Sequence, residues 1–275
     1  MTRILCFTVD LDRDVNDAVI GRSAAISMDR GQGTEPRFSS SEKGAQLIMD
    51  LMDDLGMRCT FFAEARTLRK TGVGKTISKH EVGLHGLDHE DFTGARTKVY
   101  LDQGQMREIT ERAMVIIRDD VGRSPRGFRS PYMDPNEEML DFLHEYGIVY
   151  DSSRYEYVSR NTDVRKSEAY GLMEVPVPKA EDAQGKTITS YLWPMHEGKR
   201  GYRDFVDLGN RIYEGTYVIC THSWHMSETR GKGPLDPGEI KENYDRVRSV
   251  LSDLMDCGYM PQTCEEAVRD TLSRS

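Results

Sequence analysis

The chain has 275 residues, a formal net charge of -9 at pH 7 and 30% charged residues. A chain of this length buries enough surface to fold as one domain without disulfide or metal staples. The acidic charge and the lack of a clustered basic face argue against a nucleic-acid partner and favour neutral or cationic substrates. No apolar run is long enough to span a membrane, so we expect no membrane partner.

The amino terminus enters a strand-like segment directly, without the basic and apolar regions of a secretory signal, and this predicts a cytoplasmic protein. The five cysteines contain no Cys-x-x-Cys pair, and Cys6, Cys59 and Cys220 lie in apolar strand-like runs, so we interpret these three as small buried hydrophobic residues. The sequence leaves open whether the chain forms a homo-oligomer.

The first predicted strand, residues 3–9, is a nearly continuous run of apolar and β-branched residues, as in a strand buried on both faces of a parallel sheet. It runs directly into Asp10 and Asp12, which the two-residue period of a strand places on one face. Parallel α/β folds bind ligands at this end of their strands. The two acids could equally belong to an Asp-rich turn, so the assignment of a site depends on the later motifs.

A polar segment, residues 13–41, follows the acids; it contains Gly31, Gly33 and Pro36 and has no sustained period. Loops of this length in compact domains are usually functional or disordered. Because this segment leaves the mouth of the first strand, we predict a loop that covers the substrate.

Strands and helices then alternate roughly seven times. Further strands are predicted at residues 59–63, 81–85, 126–129, 148–150, 174–178, 187–193 and 217–221. Helices are predicted at about residues 41–55, 101–121, 136–147, 202–214 and 237–256, with a short one from about 264. This pattern predicts a single domain over residues 1–275, with an α/β fold, a mainly parallel sheet in barrel or open form, and C-terminal helices in residues 236–275.

Polar residues with catalytic chemistry recur at one point of these units, just after a strand. They are Asp10, Asp12, His85, His89, Arg129, Asp151 and His222. In a barrel or a nearly closed α/β sheet these strand ends converge on one face. We therefore expect these residues to share a pocket.

His85 and His89 are four residues apart, a spacing that places both imidazoles on one face of a turn or helix start. Adding the Asp12 carboxylate gives a His, His, Asp set with open positions, which is typical of a catalytic zinc site. The same donors suit cobalt or nickel, so we expect a divalent metal, with zinc as the first choice.

The remaining residues supply an acid and a base for hydrolysis at such a metal. Asp10 can accept a proton from water, and His222 can donate one to the leaving group. Arg129 is expected to pair with Asp10 and keep its pKa low, and Asp151 to orient His222 and raise its pKa. This set predicts a metal-assisted hydrolase of an amide or ester.

Five short motifs, in order over most of the chain, resemble those of the polysaccharide deacetylases of the NodB-homology type, carbohydrate esterase family four. They are Thr8-Val9-Asp10-Leu11-Asp12, His85-Gly86-Leu87-Asp88-His89, Arg129-Ser130-Pro131-Tyr132, Asp151-Ser152-Ser153 and Ile219-Cys220-Thr221-His222. The first motif is similar to an Asp-x-Asp branch of the family.

The resemblance implies a distorted (β/α)7-type barrel of the NodB kind. It also implies a metal-dependent deacetylase that acts on an N-acetylamino sugar or a related small carbohydrate amide. In that reading Asp10 is the base and His222 the acid, while the metal ligands are Asp12, His85 and His89.

By the same resemblance, Arg129 orients the base, Asp151 tunes the acid, and the backbone N–H of Tyr132 helps to stabilise an oxyanion. Two departures from the family pattern matter. The extra residue between the acids leaves open whether Asp14 also meets the metal. Ser152 stands where the fourth motif often has an aromatic residue, so the family's usual polysaccharides are not assumed as substrates.

Two alternative functions stay open. Relatives on this fold hydrolyse cyclic amides, some without a metal, and the complete set of metal ligands argues only against the metal-free version. The second alternative is a carbohydrate-binding protein that keeps the enzyme's fold but has lost its activity. The intact Asp10 and His222 count against this alternative.

Overall fold

The first strand, β1 (Arg3–Leu11), runs through the larger sheet and is buried along nearly all of its length. The structure, a computed structural model, describes residues 2–274. Leu5 and Phe7 belong to one core cluster and Cys6 to another. Successive side chains of β1 therefore point to opposite faces, and both faces are covered, as the apolar sequence of the strand requires.

Strands and helices alternate along the described residues, with short 3₁₀ turns between some of them. The strands are β1 (Arg3–Leu11), β2 (Asn16–Asp17), β3 (Ile26–Ser27), β4 (Thr60–Ala63), β5 (Glu81–Leu84), β6 (Gly127–Phe128), β7 (Tyr150–Asp151), β8 (Tyr155–Tyr157), β9 (Arg165–Lys166), β10 (Met173–Glu174), β11 (Val177–Glu181), β12 (Thr187–Thr189), β13 (Gly215–His222), β14 (Glu228–Thr229), β15 (Gly233–Pro234) and β16 (Met260–Pro261). The helices are α1 (Ser39–Leu55), α2 (Ala65–Thr71), α3 (Gly74–Ile77), α4 (Gln103–Val121), α5 (Glu137–Leu143), α6 (Trp193–His196), α7 (Tyr202–Asn210), α8 (Pro237–Asp256) and α9 (Cys264–Arg274). The 3₁₀ turns are Pro131–Met133, His144–Tyr146 and Trp224–Met226.

The larger sheet has the strand order β13-β1-β4-β5-β6-β7-β10-β9, and β16 also pairs with β1. Its neighbours are parallel except for β10 and β9. A smaller sheet, β12-β11-β8, lies beyond β7, and Tyr191, just after β12, forms a parallel bridge with Cys220 of β13. The strands therefore curl back toward β13, and the predicted α/β fold with a distorted barrel is confirmed.

The two longest helices, α4 and α8, each begin at a capping motif in the sequence. Capping boxes formed by Asp102 with Gln105 and by Asp236 with Glu239 start α4 and α8, because each pair satisfies backbone N–H groups that have no partner in the first turn. No helix among residues 2–274 combines the length and the apolar character that crossing a membrane requires.

Two predicted strands differ from the structure. The strand predicted at residues 187–193 ends at Thr189, because Pro194 in the first turn favours the short helix α6 instead. The strand predicted at 174–178 is divided in two. Strand β10 ends at Glu174 and β11 begins at Val177, so Val175 and Pro176 lie between them. The loop predicted at 13–41 contains the small β2–β3 hairpin, and α1 already begins at Ser39.

The parallel register brings the carboxyl ends of distant strands to one edge. Asp10 at the end of β1 is the register partner of His222 at the end of β13. Leu84, which precedes His85, pairs with Phe128, which precedes Arg129. Phe128 also pairs with Asp151 on its other side. Residues that are far apart in sequence therefore meet at this edge.

Candidate active site

A cavity of about 550 Å³ opens at this edge of the sheet. Its wall includes Asp10, His85, His89, Tyr132 and His222, which lie at or just after the carboxyl ends of β1, β5, β6 and β13. The cavity thus brings together most of the side chains that the sequence predicts to share a pocket.

Asp12, His85 and His89 form a buried cluster beside Asp10. One potential ligand atom of each lies within 4.8 Å of those of the others. His89 Nε2 is 3.5 Å from Asp12 Oδ2, and the two imidazole rings lie 5.1 Å apart at 78°. The cluster therefore presents one oxygen and two nitrogens around a common centre.

The two imidazoles are oriented by their surroundings. His85 Nδ1 lies 2.8 Å from the backbone oxygen of Arg129, so Nδ1 carries the proton and Nε2 presents its lone pair to the cluster. His89 has a φ of 54°, in the left-handed region that is strained for a residue with a side chain. Glu90 stabilises this turn, because its carboxylate accepts hydrogen bonds from two backbone N–H groups between the histidines at 3.0 and 2.9 Å.

The electrostatics of the cluster fit a divalent cation. Burial, and then the neighbouring Asp10 carboxylate, raises the pKa of Asp12 well above its ordinary value. Asp12 Oδ1 and His89 Nδ1 are buried without a hydrogen-bond partner. Burial lowers the pKa of both His85 and His89, so both rings are neutral, the form that coordinates metal. A cation at the centre would offset the buried carboxylate, and the donor set suits zinc, cobalt or nickel.

Asp10 is held in a buried ion pair with Arg129. Arg129 Nη1 donates to Asp10 Oδ1 at 3.0 Å, and the guanidinium also donates to the backbone oxygen and the hydroxyl of Ser152, each at 3.0 Å. The Tyr191 hydroxyl donates to Asp10 Oδ2. Burial acts to raise the pKa of Asp10, but the Arg129 guanidinium and the Tyr191 hydrogen bond help to hold it below its ordinary value. The predicted pairing of Arg129 with Asp10 is present, whereas the contact with Tyr191 was not predicted from the sequence.

His222 lies beside the cluster, with Nε2 4.0 Å from Asp12 Oδ2. Its Nδ1 is 3.3 Å from His225 Nδ1, and His225 Nε2 is 3.3 Å from Glu197 Oε1. Because a carboxylate only accepts, His225 Nε2 donates to Glu197, and His225 Nδ1 accepts from His222. We call Glu197, His225 and His222 the histidine chain; it turns Nε2 of His222 away from His225.

Aromatic rings enclose His222. The rings of Tyr191 and Trp224 each lie 5.1 Å from it, between ring centres. Burial in these surroundings lowers the pKa of His222 to about 4, although Asp10 acts in the opposite direction. His222 is therefore neutral near pH 7 in the free protein.

The expectation that Asp151 orients His222 and raises its pKa is wrong. The Asp151 carboxylate accepts a hydrogen bond from Ser153, whose oxygen in turn accepts from the backbone N–H of Ser130 at 2.8 Å. Burial raises the pKa of Asp151 to about 6. Asp151 therefore stabilises the turn after Arg129, and the histidine chain takes the position beside His222.

Asp14 is not part of the metal cluster. Its Oδ1 accepts from the backbone N–H of Ser41 at 2.8 Å and its Oδ2 from the Ser39 hydroxyl at 3.1 Å. It thus caps the first turn of α1, where N–H groups lack partners in the helix. Asn16, from the segment predicted to cover the substrate, lines the cavity and donates to Asp12 Oδ2.

Tyr132 lies in the 3₁₀ turn after β6 with a φ of 62°. Its ring packs edge-on against His89, with 4.5 Å between ring centres. Met133 and His89 also have a positive φ, and all three residues line the cavity. Strained backbone is therefore concentrated at this wall, as is common at functional sites.

A buried network behind the cluster was missed by sequence reasoning. Arg13 Nη2 donates to Glu64 Oε1 at 2.6 Å and also contacts the Asp88 carboxylate. The backbone N–H of Arg13 donates to Glu64 Oε2 at 2.9 Å. The network joins the residue after Asp12 to the end of β4 and to the turn that precedes His89. Only the proximity of Arg13 to Asp12 in the sequence could have indicated it.

Residues 17–150 match the sequence profile of the family described as polysaccharide deacetylase. The match covers 134 of the 275 residues, and over this segment the chain is similar to polysaccharide deacetylases. The matched segment contains His85, His89 and Arg129, whereas Asp10, Asp12 and His222 lie outside it. The assignment of those three residues therefore rests on the motifs and the geometry.

The chain is similar to a known protein in part of its sequence and to solved structures in its fold. A peptidoglycan deacetylase-like protein of Gibberella zeae is 32% identical over 115 residues, which is 40% of this chain and 32% of that protein. The matched segment thus spans about a third of that relative. A candidate polysaccharide deacetylase from Mycobacterium smegmatis has a solved structure that superimposes with a TM-score of 0.60 at 18% sequence identity. The aligned region covers 92% of this chain and 84% of the Mycobacterium smegmatis chain. Puue allantoinase has a TM-score of 0.61 at 16% identity, with 97% and 89% coverage.

Proposed function

We propose that the chain is a metal-dependent hydrolase that removes the N-acetyl group of an N-acetylamino sugar or a related carbohydrate amide. The observation that carries this proposal is the Asp12, His85, His89 cluster beside the Asp10–Arg129 ion pair, with His222 on the same cavity. The family supports the chemistry, and the peptidoglycan deacetylase-like relative supports an N-acetylated sugar as the substrate class.

Asp12, His85 and His89 would hold the metal. A divalent ion held there supplies Lewis-acid polarisation of the amide carbonyl and activation of the attacking water. His85 is fixed for this role by the hydrogen bond of its Nδ1 to the Arg129 carbonyl, which leaves Nε2 as the donor atom.

Asp10 would accept the proton of the attacking water. Its lowered pKa keeps it ionised, and Arg129 and Tyr191 each hold one of its oxygens, so the carboxylate has a fixed orientation. Because Asp10 is the register partner of His222, the base and the acid stand side by side at the strand ends.

His222 would give a proton to the departing amine nitrogen from Nε2. Its Nδ1 is occupied by His225, and Glu197 lies at the far end of the histidine chain, so a positive charge on His222 faces a hydrogen-bond acceptor and, beyond it, a carboxylate. The backbone N–H of Tyr132 would donate to the oxygen that becomes negative as the carbonyl is attacked.

Acetate release by purified, zinc-loaded protein tests the proposal. The substrates are N-acetylglucosamine and its oligomers, with cyclic amides assayed in parallel because an allantoinase shares the fold. We expect acetate from the N-acetyl sugars, loss of activity with a chelator and recovery when metal is returned. Ring opening of cyclic amides without any acetate release, or full activity in the presence of chelator, would contradict the proposal.

A further inference from the structure

The mouth of the cavity is basic although the chain as a whole is acidic. Apart from the catalytic residues, the charged residues that line the cavity are Arg96, Lys199, Arg230 and Asp17. Three cations thus face one anion, in a chain whose formal net charge is -9. Surface acids farther away than the screening length of about 8–10 Å contribute little inside the cavity, so the local charges decide which ligands are attracted.

One of the cations lies against an exposed aromatic ring, and a second follows that ring closely in the sequence. Trp193 is 38% exposed and lines the cavity, and its ring lies 6.5 Å from that of His222. The Arg230 guanidinium is 5.7 Å from the centre of the Trp193 ring. Lys199 follows the same short helix, and its backbone N–H donates to Pro194 at 2.7 Å. An apolar platform of this kind suits the face of a sugar ring, with positive charge beside it.

The third cation stands beside the metal cluster. The Arg96 guanidinium lies 4.9 Å from the centre of the Tyr132 ring, and Tyr132 packs against His89. Arg96 is held in place by its loop, because Asp91 accepts the backbone N–H of Arg96 at 2.9 Å. Arg96 therefore lies on the His89 side of the cavity and Arg230 on the Trp193 side, and Lys199 lines the same cavity.

Two of the three cations are available to a ligand. Arg230 pairs with Asp17 at 3.3 Å and also donates to the backbone oxygen of Asn16 at 3.0 Å. Within residues 2–274, by contrast, no carboxylate lies within 4.0 Å of a side-chain nitrogen of Arg96 or Lys199. Both side chains are exposed at the mouth, so an incoming anion needs to displace no acidic partner.

We infer that the substrate carries an anionic substituent, a carboxylate or a phosphate, and that Lys199 and Arg96 select it. This inference rests on the proposed function and narrows it to acidic N-acetylamino sugars. It also reverses the expectation of neutral or cationic substrates from the net charge, because that expectation averages over the whole surface. Each exposed ion pair is worth about a threefold change in affinity, so the two together give about tenfold.

Binding of matched sugars that lack an amide tests the inference without turnover. Calorimetry on the metal-loaded chain compares glucose with glucuronic acid, glucose 1-phosphate and glucose 6-phosphate. We expect at least one acidic sugar to bind about tenfold more tightly than glucose, with a preference that declines as salt is added. The acid that binds best distinguishes a carboxylate from a phosphate. Equal affinity for glucose and all three acids would overturn the inference.

Substitutions locate the preference. Lys199→Gln and Arg96→Gln should each reduce the preference for the acidic sugar about threefold, and the double variant should abolish it. Lys241→Gln and Arg248→Gln, on the exposed face of α8, are matched controls that should retain it. A preference that survives in the double variant would show that the anion binds elsewhere, for example at the metal, and would overturn the assignment.

Acetate release from N-acetylglucosamine and from its 1-phosphate, its 6-phosphate and N-acetylmuramic acid separates this inference from the proposed function. Acidic sugars that bind but release no acetate would overturn the proposed function alone. Acetate released from neutral and acidic sugars with equal kcat/KM, together with equal binding, would overturn the inference alone.

Discussion

Asp10 and His222 are register partners on two neighbouring parallel strands, although they are far apart in the sequence. The pairing fixes the proposed base and the proposed acid at the same height on one edge of the sheet. Arg129 reaches Asp10 from β6, and the histidine chain reaches His222 from the loops that follow β12 and β13. Each of these contacts leads to a prediction.

The Asp10–Arg129 pair should be strongly coupled in stability. Removing one partner leaves the other charge buried without compensation, at a cost of about 3–5 kcal/mol in the free energy of unfolding. We expect such losses for Asp10→Asn and for Arg129→Met, measured by urea denaturation. The double variant should lose less than the sum of the two single variants. Additive losses in this cycle would mean that the two side chains do not interact.

The histidine chain should support turnover and leave metal content unchanged. Without His225, His222 loses the acceptor for its Nδ1 proton, so we expect His225→Leu to lower kcat about 10- to 100-fold, less than the loss of the whole acid, which is worth about 100- to 10,000-fold. KM should change little, because neither His225 nor Glu197 lines the cavity. Steady-state kinetics and metal analysis measure both effects.

Conservative variants of the histidine chain distinguish two roles of His225: orienting His222 through a hydrogen bond, or only filling space beside it. His225→Gln keeps a donor and an acceptor and should retain more activity than His225→Leu. Glu197→Gln should lower kcat, and His144→Leu, at an exposed position, should not. Loss of kcat in His225→Gln as large as in His225→Leu would argue that the ring only fills space.

Stability should decrease as the pH falls from 6.5 to 4, in part because of His196. Burial lowers the pKa of this ring to about 4 from its ordinary 6.5, and the ring accepts or donates hydrogen bonds at both nitrogens, to Asn243 and Thr221. In this pH window the unfolded chain binds a proton that the folded chain does not, so acid favours unfolding.

The variant His196→Gln isolates this contribution. It should lower the slope of unfolding free energy against pH by up to about 1.4 kcal/mol per pH unit between pH 4 and 6.5, whatever its effect at pH 8. Urea titrations at several pH values give the slope. Parallel curves for the variant and the wild type would show that His196 does not titrate as described.

Gly44 should tolerate no side chain. It lies in α1 against the segment after β13, and a Cβ at this position would lie 1.7 Å from the backbone oxygen of Ser223. Gly44→Ala should therefore cost about 1–3 kcal/mol and lower kcat, because Ser223 follows His222 directly. Gly171→Ala, whose Cβ would meet nothing closer than 3.7 Å, is the control. Equal thermal midpoints for the two variants would contradict the close contact.

Local sequence patterns were sufficient for much of the fold. Helix α8 was predicted at 237–256 and occupies Pro237–Asp256, because a capping residue, a proline in the first turn and a regular apolar face all agree. The strand predicted at 187–193 was wrong beyond Thr189, since an apolar and aromatic run does not distinguish a strand from a short helix.

The site was predictable where a strand end determines a position, as for Asp10, His85 and Arg129. The hydrogen-bond partner of a side chain was not predictable where several neighbouring groups could bind it. Asp151 lies at the expected strand end, but the hydroxyl two residues later binds its carboxylate. Tyr191 and the partners of His222 are joined to the site only by tertiary contacts, which no local pattern in the sequence encodes.

The metal content of purified variants tests the central claim most directly. Plasma mass spectrometry after dialysis should find a stoichiometric divalent ion in the wild type and in Asp10→Asn, which nevertheless loses turnover. His85→Ala and His89→Ala should lose both the ion and turnover, while His144→Ala keeps both. Equal metal content in all five proteins, or equal metal loss in Asp10→Asn and His85→Ala, would contradict the assignment of ligands and base.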